Sequence, residues 1–224
     1  MSSADAIAAA LVEGGVDILL IETAQDTRNV KAALLGIQRV MKEVGHHIPV
    51  MVSGTIEPMG TMLAGQNAEA FLASIAHADL MAVGLNCATG PEFMTDHIRS
   101  LSDMASTRIS CYPNAGLPNE EGLYLETPQT LAEQLDRFVK HGWLNIVGGC
   151  CGTTDRHIAA IAQMVQGRKP REVKPPAHHA WYSGIEKAAR ADSRFWRRQA
   201  ACCLLSVKTS ARISARNIDW FSLL

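Results

Sequence analysis

The sequence lacks a long uninterrupted apolar run and has no basic segment at its beginning. No apolar stretch reaches the roughly 18 residues of a membrane span, and the run AIAAALVEGGVDILLI is interrupted by two acidic residues and two glycines. A secretory leader needs a basic start, which MSSADAIAAAL does not have. We therefore expect a cytoplasmic protein with no membrane contact, in which six cysteines favour metal binding or catalysis over disulfides.

The chain also lacks a strong net charge, with a formal value of -1 at pH 7, but its charges are unevenly distributed. Residues 187–224 carry eight Lys or Arg and two acidic residues, whereas the rest of the chain carries 13 basic and 20 acidic residues. No nucleic-acid-binding motif or aromatic platform accompanies the basic segment, so no nucleic-acid partner is expected. We predict a folded domain over 1–167, an exit linker over 168–186, and an atypical tail over 187–224 that is not part of the fold.

Apolar, strand-like runs recur about every 30 residues, and a helix-like pattern follows each of them. The runs are VDILLIET, IPVMVSGT, DLMAVGLNC, RISCYPNAG and LNIVGGCCG. This alternation indicates parallel strands joined by helices, and the near-continuous apolar character of the strands fits burial on both faces. The sequence therefore predicts an α/β fold, a partial TIM (β/α)8 barrel with about five of the eight strand–helix units.

Three cysteines stand at the ends of two predicted strands. Cys87 ends the third run, and Cys150 and Cys151 end the fifth. Because the ends of parallel strands gather at one face, we expect the three thiols to converge there. Three thiolates form a soft ligand set that selects zinc and leaves one coordination position open, as a catalytic zinc requires.

Free cysteines are also common as small buried apolar residues, and this is the interpretation for Cys111, which lies inside its strand. Cys202 and Cys203 lie in the atypical tail without flanking glycines, and we assign them no role. An unrelated metal-dependent barrel lyase or hydrolase would need His and carboxylate ligands at the strand ends, where no His occurs. The glycine-flanked pair in GGCCG favours metal binding over a buried apolar role for Cys150 and Cys151.

The motifs VGLNCATGPE, YPNAGLPN and LNIVGGCCGTT closely resemble the homocysteine-binding module of the cobalamin-dependent methionine synthases. The likeness extends to DILLIETAQDTRNVKAAL and VMVSGTI and covers about residues 4–186. It implies a (β/α)8 barrel in which Cys87, Cys150 and Cys151 match the zinc ligands, and Glu22 matches the acid that binds the amino group of the substrate. PNAGLPN and WYSGIE favour the cobalamin enzyme over relatives that use betaine or S-methylmethionine.

The resemblance implies a methionine synthase-type methyltransferase. Zinc would activate the homocysteine thiolate for methyl transfer from methylcobalamin, giving methionine. Methylcobalamin is expected on another module, because an Asp-x-His-x-x-Gly motif is absent here. The expected partners are therefore homocysteine and the cobalamin- and folate-binding modules of the same enzyme.

Several alternatives stay open from the sequence. Asn114 either turns the chain in YPNAG or contacts substrate or metal. The chain could be an inactive zinc-binding fragment, or a homocysteine methyltransferase with another methyl donor. The first three strand–helix units of the family have no counterpart, so we expect the chain to begin just before the fourth unit. Its outer strands would then have bare edges, which promote association.

Overall fold

The computed structural model describes residues 2–176 and 181–189, in which helices and strands alternate. The elements are α1 (Ser3–Glu13), β1 (Leu19–Ala24), α2 (Thr27–Val44), β2 (Val50–Gly54), α3 (Ala68–Ile75), β3 (Ala82–Asn86), α4 (Pro91–Met104), β4 (Arg108–Tyr112), α5 (Pro128–Lys140), β5 (Ile146–Val147), α6 (Asp155–Val165), β6 (Trp181–Ser183) and β7 (Lys187–Ala189). None of these helices combines the length and apolarity that crossing a bilayer requires.

The first five strands form one sheet in the order β1-β2-β3-β4-β5, and every pair in it is parallel. Each of these strands is followed by a helix, which confirms the predicted α/β fold of five strand–helix units. Within the described residues, β1 and β5 are the outer strands and each pairs with one neighbour. The association expected at these two edges stays a prediction.

Three of the helices begin at residues whose side chains bond to free backbone amides of the first turn. Asp26 caps α2, Asn67 caps α3 and Thr127 caps α5, each accepting from an N–H of its helix. Thr154 precedes α6, and its N–H donates to Nδ1 of His157 in the first turn at 3.1 Å. Pro128 occupies the first turn of α5. The helix starts predicted at Thr127 and Thr154 are therefore confirmed.

The two faces of the sheet have different characters because successive side chains along a strand alternate between them. One face packs under the helices and forms the main core, in which Phe71 and Phe138 are almost completely buried. The opposite, inner face carries a smaller cluster of Met51, Ala82, Tyr112 and Ile146. Small and polar residues follow the strand ends beside this inner cluster. The residues that could bind a ligand therefore lie at the carboxyl-terminal edge of the sheet.

Arg171 anchors the segment that follows α6. Its guanidinium donates hydrogen bonds to the carbonyl oxygens of Ser102 at 2.7 Å, Ala105 at 2.6 Å and Thr107 at 2.9 Å. These carbonyls lie at and just after the end of α4, where backbone acceptors lack helical partners. The Asn145 side chain in turn donates to the Arg171 carbonyl at 2.7 Å. The boundary predicted after α6 stays a prediction, but this part of the linker is packed against the domain.

The strands β6 and β7 form a short antiparallel pair that packs against α3. The Lys187 ammonium lies 3.4 Å from the Glu69 carboxylate and 5.2 Å from the centre of the Trp181 ring. These are an ion pair and a cation–π contact, both of modest strength at a partly exposed position. The rest of the predicted tail, residues 190–224, lies outside the described residues.

Candidate metal centre

Three cysteine sulfurs lie together at the carboxyl-terminal edge of the sheet. Cys87 directly follows β3, and Cys150 and Cys151 lie shortly after β5. The Cys87 and Cys151 sulfurs are 3.6 Å apart, and those of Cys150 and Cys151 are 4.0 Å apart. All three lie within 4.8 Å of one another. The structure thus brings the three predicted metal ligands into one cluster.

The spacing of the sulfurs suits a single tetrahedral metal ion. Two sulfurs that each lie about 2.3 Å from a tetrahedral zinc are about 3.8 Å apart, which is close to the 3.6 Å and 4.0 Å found here. A disulfide would need about 2.05 Å, and the described cysteines are all free. Cys151 is exposed and the other two are partly buried, so the cluster is reachable from outside.

Strained backbone accompanies the cluster. Cys87 and Ala88 have φ values of 63° and 57°, and Thr23 at the end of β1 has 54°. Among the described residues these are the only non-glycine positions with positive φ, and side chains with a Cβ disfavour that region. The strain at Cys87 is offset in part by the hydrogen bond from its N–H to the Tyr112 carbonyl at 3.1 Å. Such outliers cluster at functional sites, where surrounding contacts hold them.

Asn86 connects three strand ends to the cluster. Its side-chain oxygen accepts from the Thr23 N–H at 3.1 Å and from the Ser53 hydroxyl at 2.7 Å. Its amide nitrogen donates to the Thr23 hydroxyl at 2.8 Å and to the Cys150 sulfur at 3.8 Å. The side chain is fully buried. In the sequence, Asn86 is distinguished only by its position at the end of the run DLMAVGLNC, immediately before Cys87.

The turn that carries Cys150 and Cys151 is fixed by the segment after β4. The Cys150 N–H donates to the Pro113 carbonyl at 2.8 Å, and the Cys151 N–H donates to the side-chain oxygen of Asn114 at 3.1 Å. The Ala115 N–H donates to the Cys151 carbonyl at 2.9 Å. Asn114 is buried and holds the backbone of one ligand in place. Its predicted contact with substrate stays a prediction.

The thiols differ in their electrostatic environments. Burial raises the pKa of the Cys150 thiol to about 12; the Asn86 hydrogen bond acts in the opposite direction, and Cys87 and Cys151 raise it further. Burial also raises the pKa of Cys111, whose sulfur lies 3.8 Å from the Met94 sulfur. Cys111 is therefore an inert core residue, as the sequence predicts.

Glu22 lies on the exposed inner side of β1, two residues before the end of that strand. The register pairs Leu20 with Met51 of the inner face, and Glu22 follows Leu20 by two residues, so it shares that face. Burial raises the pKa of the Tyr112 phenol, and the Glu22 carboxylate adds to the increase. A carboxylate on this inner face can bind a cationic group of a ligand. The role of Glu22 in substrate binding stays a prediction.

The fold and the site define a class of protein. Parallel strand–helix units carry a three-thiol cluster at their strand ends, a soft donor set that could hold a metal ion with one position left open. Comparison with known families is more specific. Residues 3–165 match the family model described as homocysteine S-methyltransferase. The chain belongs to the homocysteine S-methyltransferase family.

Comparison with solved structures supports the same fold. The homocysteine methyltransferase MmuM from Escherichia coli, in its apo form, matches with a TM-score of 0.53 and 22% sequence identity. The match covers 73% of this chain and 58% of the MmuM chain, so this chain spans little more than half the length of that structure. At this identity the likeness concerns the fold alone, and it agrees with a partial barrel.

Proposed function

We propose that this chain is the zinc- and homocysteine-binding part of a methionine synthase-type methyltransferase. The methyl group would pass from methylcobalamin, carried on another module, to the sulfur of homocysteine, and methionine would be the product. The observation that carries the proposal is the convergence of Cys87, Cys150 and Cys151 within 4.8 Å at the strand ends of a homocysteine S-methyltransferase domain.

Each of these groups has a proposed task. Cys87, Cys150 and Cys151 would hold a zinc ion, which would lower the pKa of the homocysteine thiol so that it binds as a nucleophilic thiolate. Asn86 donates to the Cys150 sulfur, which fixes the orientation of that ligand. The Glu22 carboxylate would bind the substrate ammonium through a charge-assisted hydrogen bond.

Methylcobalamin as donor is supported by PNAGLPN and WYSGIE, which resemble the cobalamin enzyme more than its betaine-dependent relatives. Cobalamin- and folate-binding modules of the same enzyme are the corresponding proposed partners. Of the two segments, PNAGLPN includes Asn114 and Ala115, which bond to the backbone of Cys151. This part of the motif is therefore in direct contact with the proposed zinc site.

The proposal is tested by measuring metal content and homocysteine binding on the same purified protein. We expect one zinc per chain and calorimetric binding of homocysteine that disappears when zinc is removed by a chelator and returns when zinc is restored. Methionine, which has no free thiol, is the matched control ligand and should bind much more weakly. Homocysteine binding that is unchanged without zinc would contradict the proposal.

Replacing Glu22 by Gln is expected to weaken homocysteine binding about ten- to hundredfold and to leave zinc in place. The loss corresponds to one charge-assisted hydrogen bond of roughly 1.5–3 kcal/mol. Calorimetry on the zinc-loaded protein measures it. Asp26→Asn is the control, because it removes a carboxylate from the same strand end while Asn still caps α2. Equal affinity of Glu22→Gln and unaltered protein would refute the role.

Zinc affinity is expected to fall as the pH falls. Because the metal-free Cys150 thiol has a pKa of about 12, it is protonated at neutral pH and must release its proton when zinc binds. That thiol alone should make the affinity about tenfold weaker for each pH unit lowered between pH 8 and 6. Calorimetry in buffers of different ionisation enthalpy counts the protons released. A count of zero at pH 7 would contradict this assignment.

A further inference from the structure

We propose that the basic segment 190–224 of this chain binds the face of the domain that carries the three cysteines. This face, called the strand-end face below, is formed by the segments that follow the five parallel strands and by the first turns of α4 and α6. The segments are residues 25–26, 55–67, 87–90, 113–127 and 148–154. The contact goes beyond the proposed methyl transfer and does not depend on it.

Large apolar side chains are exposed on the strand-end face. Met59 is 80% exposed, Leu125 is 69% exposed, and Phe93 in the first turn of α4 is 52% exposed. Leu117 and Leu123 are exposed as well. Single exposed apolar residues are common on protein surfaces, but several in neighbouring segments form a patch of the kind that binds another part of a chain.

The segments that carry these side chains touch one another. A Cβ added at Gly60 would lie 3.8 Å from the His97 ring, and Phe93 precedes His97 by one helical turn. A Cβ added at Gly90 would lie 3.1 Å from the Cα of Gly116, so the segments after β3 and β4 are in contact. The apolar patch therefore continues from the loop after β2 to the loop after β4.

The apolar patch borders the cysteine cluster. The Ala115 N–H donates to the Cys151 carbonyl at 2.9 Å. A Cβ added at Gly152 would overlap the Cβ and ring of Tyr124, the residue between two of the exposed leucines. Cys151 itself is exposed. A chain segment bound to the patch would therefore cover the most exposed of the three thiols.

The strand-end face is also acidic. Its five segments contain no Lys, Arg or His, and they carry the carboxylates of Asp26, Glu57, Glu120, Glu121 and Glu126. Glu92 and Asp155 in the first turns of α4 and α6 add two negative charges, which Arg28 and Arg156 at the helix starts offset. The formal net charge of this face is therefore -5 at pH 7.

Residues 190–224 have the complementary composition. They carry seven Lys or Arg and two acidic residues, a formal net charge of +5, and they include Phe195, Trp196, Trp220 and Phe221. Opposite charges attract the segment to the strand-end face. Its aromatic side chains can bury large apolar areas against the exposed leucines and Met59. Charge and apolar character therefore favour the same pairing.

The segment begins close enough to reach this face. The turn between β6 and β7 lies at the start of α3, where the Asn67 N–H donates to the Ile185 carbonyl at 3.0 Å. Five strands about 4.8 Å apart make a sheet about 19 Å wide, and ten extended residues span about 33 Å. The 35 residues after Ala189 are therefore long enough to reach any part of the strand-end face. Because tethering gives an effective concentration in the mM range, even a weak contact covers the face most of the time.

Cross-linking of the full chain with a carbodiimide tests the contact directly, because this reagent joins a carboxylate to a lysine that touches it. Lys208 is the only lysine in 190–224. We expect mass spectrometry to find Lys208 joined to Glu120 or Glu121. It should not be joined to Glu43 or Glu172, which are exposed near the carboxyl-terminal ends of α2 and α6. The yield should fall several-fold between about 0.05 M and about 0.5 M salt, because salt screens exposed charges.

Thiol alkylation of the metal-free full chain measures how far the segment covers the cysteines. The tryptic peptide 141–156 carries Cys150 and Cys151 and reports their labelling. Replacing Arg197 and Arg198 together by Gln weakens the contact and should speed this labelling about threefold at low salt. Loss of two positive charges without uncovering would instead disfavour the thiolates and slow the reaction. Replacing Arg168 and Lys169 by Gln is the matched control and should leave the rate unchanged.

Cross-links from Lys208 to the strand-end face within monomers, together with faster labelling of the Arg197→Gln, Arg198→Gln protein, support the contact. Cross-links found only in covalent dimers assign the face to the segment of a second copy and overturn binding within one chain. Absence of a Lys208 cross-link to this face, or equal labelling rates in both double variants, also overturns the contact. None of these measurements uses homocysteine or a methyl donor, so their failure leaves the proposed function standing.

Discussion

Replacing Cys150 and Cys151 together by Ala is expected to abolish tight zinc binding. The change removes two of the three sulfurs that lie within 4.8 Å of one another, and Cys87 alone cannot form a closed ligand set. The affinity should fall on the order of a thousandfold or more, because most of the binding free energy of such sites comes from the thiolates. Competition with a chromogenic chelator measures the affinity, and elemental analysis measures zinc per chain.

The chain offers a matched control for this variant. Cys202 and Cys203 are also adjacent, and replacing both by Ala makes the same chemical change outside the described residues. This second variant should keep one zinc per chain. Full zinc retention by the Cys150→Ala, Cys151→Ala protein, or equal loss in both double variants, would remove the basis for the assigned ligands.

Replacing Arg171 by Ala is expected to lower the free energy of unfolding by about 3 kcal/mol, since buried acceptors then lose charge-assisted hydrogen bonds. The side chain is buried and bonds to the carbonyls of Ser102, Ala105 and Thr107. Arg171→Lys should restore only part of the loss, because one ammonium cannot reach all of these acceptors in the geometry of a planar guanidinium. Urea unfolding of the unaltered, Arg171→Ala and Arg171→Lys proteins gives their free energies of unfolding. The comparison holds if the dependence of the free energy on urea concentration is the same in all three.

Arg168 is the control for Arg171, three positions earlier. Its guanidinium is partly exposed and lies 3.0 Å from the Asp136 carboxylate. An exposed ion pair contributes about 0–1 kcal/mol, so Arg168→Ala should unfold at nearly the urea concentration of unaltered protein. If Arg168→Ala and Arg171→Ala shift the midpoint equally, the anchoring role of Arg171 is wrong. The same result would favour a domain boundary directly after α6.

The sequence predicts those features that depend on local patterns and on the parallel order of strands. The strand runs, the helix starts at Thr127 and Thr154, and the core position of Cys111 follow from periodicity and capping preferences. The meeting of Cys87 with the pair at 150–151 follows from one topological rule, because parallel strand ends share an edge.

Other features depend on loop conformations that no local pattern specifies. Arg171 lies in a segment whose Pro and Lys content indicates a linker, and only the packed structure brings it to the end of α4. Tyr124 lies in an irregular loop between β4 and α5, where it bridges to Pro118 and packs against Gly152. The same loop contacts α6 through the Glu126 carbonyl and His157. Apart from the bridge to Pro118, these contacts join residues between 28 and 69 positions apart, so propensities of single residues carry no information about them.

The hydrogen bonds of Asn86 restrict which amino acids this position can accept. Its amide accepts twice and donates twice, towards Thr23, Ser53 and Cys150. Asp would supply the acceptors but no donors, Ser would be too short to span the same partners, and Gln would add a methylene to a site with no exposed surface. Asn is therefore the one amino acid that makes all four hydrogen bonds at position 86. By contrast, the residue at position 82 of the same strand, an Ala, only has to be small and apolar.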